Sequence, residues 1–224
     1  MRRTWLRRLL KVALVAVLAP VLLAAACYVK WCVCDSRLAT ITPGTVYQSA
    51  AFAPDELVDV CRDHGIRTVI DLRDDHPGEV AANAAAVADA GLCHIHLPTE
   101  THPTSESVAA FLAAMDRAPR PVLVHCQHGE GRSVMMCAIH RIQNEGWTNE
   151  GAFDGTARLP DGLKFLNCWF PGLRRFRESH PKGRFVLGYV KVPEATEPRD
   201  QPEGTPAAGP NVVEAASHKD GAPR

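Results

Sequence analysis

The run PVLVHCQHGEGRSVMMCAIHRI, Pro121 to Ile142, decides how the centre of this chain folds. Its first five residues, Pro121–His125, are a short apolar strand rich in β-branched and aliphatic side chains, as expected of a strand covered on both faces. Val134, Met135, Ala138, Ile139 and Ile142 then recur at the spacing of a helix face, and the helix ends near Gly146. Between strand and helix lies the loop Cys126 to Arg132, which holds Gly129 and Gly131 where a tight backbone turn needs them.

Outward from this unit the same alternation repeats. Arg67–Leu72 (RTVIDL) reads as a strand, preceded by a helix Pro54–His64 that opens on proline and closes at Gly65. Leu92–Leu97 reads as another strand, after an alanine-rich helix over about Glu79–Ala90 that stops at Gly91. A helix from about Ser105 to Met115 carries Val108, Phe111, Leu112 and Met115 on one face and leads into the Pro121 strand. Alternation of this kind predicts the α/β class, with a central, parallel-type sheet flanked by helices on both faces.

That fold places Cys126 at the C-terminal end of a buried strand, the edge at which open α/β sheets bind ligands. Backbone N–H groups of the loop and the start of the next helix converge on one anion of phosphate size. The same field favours the thiolate of Cys126. Arg132 offers a planar fork to two phosphoryl oxygens, which lysine cannot match.

The run His125, Cys126, Gln127, His128, Gly129, Glu130, Gly131, Arg132, Ser133 resembles the signature of the protein tyrosine and dual-specificity phosphatase superfamily, HC followed by five residues, R, and S or T. VYQSA and TVIDLRDD are similar to the early strands of compact bacterial and atypical dual-specificity members, so the resemblance covers about Thr45 to Gly146. It implies the cysteine-phosphatase fold and a phosphomonoester hydrolase working through a cysteinyl-phosphate, with no cofactor and no metal. In that reading Cys126 is the nucleophile, Arg132 binds the phosphoryl group, Ser133 stabilises the departing thiolate, and His125 orients the loop. Gln127, His128, Gly129, Glu130, Gly131 and Arg132 form the substrate-binding loop. Rhodanese-type sulfurtransferases also carry a cysteine on an anion-binding loop, but theirs does not usually end in an arginine and serine that start a long helix.

The family's general acid is an aspartate on a loop upstream, after a Leu-Pro turn. Here LPTETHPTSES has Glu100 as its one carboxylate between Leu97 and Thr104, and the aspartate of related Leu-Pro-Thr-x-Asp runs falls on Thr101. Glu100 is therefore the expected acid, ahead of His102, Asp74 and Asp75. This departure also sustains a competing class, an inactive phosphatase-like module that binds phosphorylated partners. His128 and Glu130 stand where phosphoinositide phosphatases often place lysines, so the expected substrate is a phosphotyrosine protein or a singly phosphorylated small molecule or lipid. Glu130 beside an anion site calls for a partner cation such as Arg73.

The ends of the chain bound the rest. Arg2, Arg3, Arg7, Arg8 and Lys11 precede the uncharged stretch Val12–Val29, so residues 1–30 read as a membrane anchor or signal segment. The basic flank stays cytoplasmic, which predicts a single-pass membrane protein with its catalytic domain on the extracytoplasmic side. Cleavage after Ala24–Ala26, giving an exported protein, and lipidation of Cys27 are the alternatives. Residues 41–190 form the phosphatase-like domain, and residues 191–224, rich in Pro, Gly, Ala and charge, read as a disordered tail. Lys plus Arg and Asp plus Glu balance at 25 each, without the basic stripe that nucleic-acid binding requires. The eight cysteines form no paired CxxC pattern of a structural zinc site. His94, His96 and His102 lack a carboxylate or fourth ligand at a supporting spacing. Phe165, Trp169, Phe170 and Phe176 read as a packing layer that closes the sheet.

Overall fold

The structure, a computed structural model, describes residues 2–156 and 171–192. Helix α1 (Arg2–Val33) is followed by β1 (Ala39–Thr42), β2 (Val46–Ser49), α2 (Pro54–Asp63), β3 (Thr68–Asp71), α3 (Pro77–Asp89) and β4 (Cys93–His96). Then come α4 (Ser105–Arg117), β5 (Val122–His125), α5 (Arg132–Asn144), α6 (Asn149–Gly155), α7 (Pro171–Ser179) and α8 (Pro181–Leu187). The strands form one sheet in the order β1-β2-β5-β3-β4.

Pairing is parallel for β2 with β5, β5 with β3, and β3 with β4, as the strand–helix alternation predicts. The first pair departs from that pattern: β1 and β2 run antiparallel. The cause is the length of the connection. Pro43, Gly44 and Thr45 alone separate the two strands, and a parallel crossover needs a dozen or more residues. Thr45 N donates to Thr42 O at 3.0 Å to close the turn.

The helices start where the sequence supplies a local device. Proline stands in the first turn of α2, α3 and α8, where its missing N–H costs nothing. Helix α4 opens on a capping box in which Thr104 and Ser107 satisfy each other's backbone N–H groups.

Adjacent residues of the central strands feed opposite faces of the sheet. Val122 and Val124 of β5 and Ile70 of β3 pack with Phe111, Met115, Met135, Met136 and Ile139. Leu123 and Val69 point the other way, onto Leu57, Cys61, Ile66 and Val87 of the α2 and α3 layer. Helix α5 lies at the centre of the first layer, with every residue from Ser133 to Ile142 buried. Phe165, Trp169 and Phe170 of the expected aromatic layer lie outside the described residues, as do residues 193–224 of the expected tail. Phe176 departs from that expectation, because it is 68 % exposed on α7.

Helix α1 joins the domain without a free linker. Arg7–Val33 is long and apolar enough to cross a membrane, and its most apolar window is unburied. Trp31, in its last turn, is buried and its Nε1 donates to Leu38 O at 2.7 Å.

Candidate functional site

The strand β5 ends on His125, and Cys126 follows at the bottom of a small cavity. That cavity, about 140 Å³, is lined by Thr101, Cys126, His128, Glu130, Gly131, Arg132 and Lys182. It is therefore built from the loop, one residue of the segment after β4, and one residue of α8.

The loop keeps its shape through contacts with the end of β2. Gln48 is buried there, and its Nε2 donates to Gly129 O at 3.0 Å and lies 3.3 Å from Ser133 Oγ. Ala51 N donates to Gln127 O at 3.3 Å. Gly129 adopts a φ of +63°, and a Cβ there would stand 2.6 Å from Ala50 N, so backbone conformation and space both demand glycine. Gly131 meets Lys182 Nζ at 2.7 Å from its would-be Cβ, which puts the ammonium directly over the loop.

Within the loop, Cys126 Sγ lies 3.3 Å from Ser133 Oγ, which also reaches Ser49 O at 3.4 Å. Cys126 is 2 % exposed yet opens into the cavity, whereas Cys61 and Cys137 are enclosed in the core. Burial pushes the Cys61 thiol up to about 11 and raises that of Cys137 further. The Arg132 guanidinium donates from Nη1 to Leu72 O at 3.3 Å and to Thr99 O at 3.1 Å, and pairs with Asp74. Its Nη2 lies 3.5 Å from Asp75 Oδ1.

A buried polar cluster supports the loop from the sheet side. Asp71 stands level with His125 on the neighbouring strand, and His125 Nε2 is 3.6 Å from Asp71 Oδ2. Arg73 grips Asp71 with a fork, Nε to Oδ1 at 3.0 Å and Nη2 to Oδ2 at 2.7 Å, and both side chains are sealed from solvent. Burial alone would raise the Asp71 carboxyl, but His94 at 3.8 Å and the Arg73 fork outweigh it and hold it well below the usual carboxylate range. For His125 burial prevails: it lowers the imidazole to about 4 against the pull of Asp71, so the ring is neutral at neutral pH.

Several expectations meet different partners here. Glu130 pairs with Arg37 rather than Arg73, because Arg73 is committed to Asp71 beneath the loop while Arg37 reaches Glu130 from the turn after α1. His94 faces Asp71, and His96 Nε2 lies 2.8 Å from Arg73 O. Glu100 lines a separate cavity with Leu97, Pro98, Thr99, Thr104, Glu106, Ser107 and Ala110, and its neighbour Thr101 is the residue of that segment that reaches the Cys126 cavity.

Sequence reasoning missed three contributions. Gln48 carries no local signal, since a polar residue in a short strand reads as solvent-facing. Lys182 is remote in the chain, and the helix that brings it over Gly131 has no motif. The run Asp71–Asp75 was visible as DLRDD, but its division between His125 and Arg132 depends on the turn after β3.

Residues 53–160 match the family described as DSP-PTPase phosphatase fused to NAD+ kinase. The dual specificity protein phosphatase TpbA of Pseudomonas aeruginosa (strain UCBPP-PA14) is 33 % identical over 67 residues, 29 % of this chain and 31 % of that protein. The chain thus spans about a third of the length of the curated relative it matches. Among solved structures, the PTP-2 phosphatase of Cydia pomonella superposes with a TM-score of 0.50 at 15 % identity, covering 68 % of this chain and 92 % of that one, a likeness of fold. P. aeruginosa TpbA in complex with pTyr gives a TM-score of 0.47 at 25 % identity over 55 % of this chain and 72 % of that one. The matched segment spans the strand, loop and helix that hold Cys126, Arg132 and Ser133, and over it this chain is similar to the protein tyrosine and dual-specificity phosphatases.

Proposed function

We propose that this chain hydrolyses phosphomonoesters through a cysteinyl-phosphate intermediate at Cys126. The observation that carries the reading is the convergence on one small cavity of Cys126 Sγ, the loop, the Arg132 side chain and the Lys182 ammonium. A phosphoryl group entering the cavity takes the Arg132 fork from Asp74, and Lys182 adds a second positive charge over the loop. The Cys126 thiolate attacks phosphorus, forming the S–P bond as the P–O bond to the leaving group breaks. The leaving oxygen takes a proton from a carboxylic acid. Water then attacks phosphorus, gives its proton to the same carboxylate, and the S–P bond breaks to return the thiolate, which Ser133 Oγ stabilises at 3.3 Å. His125 is buried at the base of the loop beside Asp71, and the scheme assigns it no proton transfer.

Glu100 is the acid in this scheme. It adjoins Thr101, which lines the Cys126 cavity, and the scheme requires the segment after β4 to move so that the carboxyl, now in the neighbouring cavity, meets the leaving group. Asp74 and Asp75 are instead the partners of Arg132. Helix α1 serves as a single-pass anchor with the catalytic domain outside the cytoplasm, a reading supported by the apolar span and the basic residues ahead of it.

An aryl phosphate separates the enzyme from an inactive phosphate-binding module. Incubated with the full-length protein it is expected to release inorganic phosphate at a rate unaffected by chelators and inhibited competitively by vanadate. Vanadate or phosphate binding without turnover would instead support the module.

A further inference from the structure

Beside the Cys126 cavity lies a second one, about 340 Å³, whose wall is the end of the apolar helix. Tyr28 and Trp31 of α1 line it together with Glu130 of the loop and with Phe176, His180 and Lys182. Glu130 and Lys182 line both cavities, so the groove runs directly into the site of reaction.

The domain is fixed to the helix at this point. Trp31 is 5 % exposed, Arg37 N donates to Trp31 O at 2.9 Å, and the Arg37 guanidinium sits 6.0 Å from the Trp31 ring centre. The same guanidinium pairs with Glu130, tying the turn after α1 to the catalytic loop and balancing the one acidic charge at the groove. At about 1.5 Å per residue, Tyr28 lies less than two turns inside the end of α1. With α1 in the bilayer, that is the level of the headgroups.

Two further features suit this depth. Phe176 is 68 % exposed and borders the groove next to the exposed Arg175, the pairing of aromatic and basic side chains found on surfaces that rest in a membrane interface. Lys182 pairs with no carboxylate among the described residues, leaving its charge for an anion that enters along the groove. An extended phosphopeptide reaching Cys126 by this path would have to lie in the headgroup layer, whereas a lipid phosphate is already there.

We propose that the substrate is a membrane lipid carrying a monoester phosphate, delivered from the bilayer through the groove between Tyr28 and Phe176. The phosphate enters the Cys126 cavity past Lys182, and the lipid's glycerol and upper acyl carbons rest against Tyr28 and Phe176. This proposal rests on the phosphatase reading of the same site and names its substrate class.

The full-length protein reconstituted in phosphatidylcholine vesicles containing phosphatidic acid tests it, with an aryl phosphate and a phosphotyrosine peptide assayed on the same vesicles. Phosphatidic acid is expected to be dephosphorylated with higher kcat/KM than the peptide. Phe176→Asp, at an exposed position where the core is untouched, is expected to lower the ratio of phosphatidic acid to aryl phosphate turnover about tenfold. Turnover of aryl phosphate or peptide but not of phosphatidic acid would overturn the lipid proposal and leave the phosphatase reading standing. A ratio unmoved by Phe176→Asp would overturn the groove as the route. Failure on all three substrates would overturn the phosphatase reading itself.

Discussion

Cys126→Ser is expected to abolish phosphate release from an aryl phosphate, a loss of at least roughly 10⁴-fold. A serine hydroxyl in the same loop remains protonated at neutral pH and is a far weaker nucleophile than a thiolate. The substitution is otherwise conservative. Sγ lies 3.3 Å from Ser133 Oγ, so an oxygen in its place retains a hydrogen-bond partner, and the Gln48 contact to Gly129 O is untouched. Phosphate or vanadate should therefore still bind, since Arg132, Lys182 and the loop N–H groups remain. Isothermal titration beside a phosphate-release assay reads both quantities. Retained turnover would remove Cys126 from the chemistry, and loss of binding as well as turnover would mean that the loop had collapsed.

Glu100→Gln should lower turnover of an unactivated aryl or alkyl phosphate by roughly 10² to 10⁴, the scale of losing a general acid. The effect depends on the leaving group. A phosphate ester whose leaving group is already a stable anion needs little protonation, so its loss should be far smaller. The basic limb of the pH profile should flatten in the variant, because the group whose protonated form was required is gone. Arg132→Lys supplies the contrast, since it removes the bidentate phosphate contact and should impair both substrates alike. If Glu100→Gln leaves profile and leaving-group dependence unchanged while the corresponding change at Asp74 or Asp75, or His102→Asn, alters them, the acid lies at that residue instead.

Much of the fold was legible because its signals are local. Pro54 and the glycines at 65 and 91 punctuate the helices, and the short runs at 67–72 and 121–125, rich in β-branched residues, read as strands. The antiparallel start of the sheet was less visible, because β1 (ATIT) and β2 (VYQS) mix polar with apolar residues and no helix separates them. Strand direction there is set by the length of the Pro43–Thr45 turn, a constraint that shows only once both strands are placed.

The Cys126 loop was legible for a different reason. In the proposed reaction nucleophile, glycines and arginine must all lie within one strand-to-helix turn to meet a single phosphate, so that chemistry leaves a contiguous trace from His125 to Ser133. What supports that loop comes from distant segments: Gln48 from β2, Asp71 and Arg73 from the end of β3, Arg37 from the turn after α1, Lys182 from α8. Each is a polar residue whose partner is fixed by tertiary packing, and no spacing rule connects them. The Glu130 pairing illustrates the point. The need for a partner cation followed from the acidic charge beside an anion site, but choosing Arg37 over Arg73 required knowing that Arg73 is consumed by a buried aspartate.

The central claim is the covalent step at Cys126, and it is tested most directly by acid-quenching the full-length enzyme during turnover of an aryl phosphate, digesting it, and locating phosphate by mass spectrometry. The account predicts a phosphoryl group on the peptide that carries Cys126, absent from Cys126→Ser treated in the same way. Phosphate found on His128 or another residue, or undiminished turnover in Cys126→Ser, would contradict it.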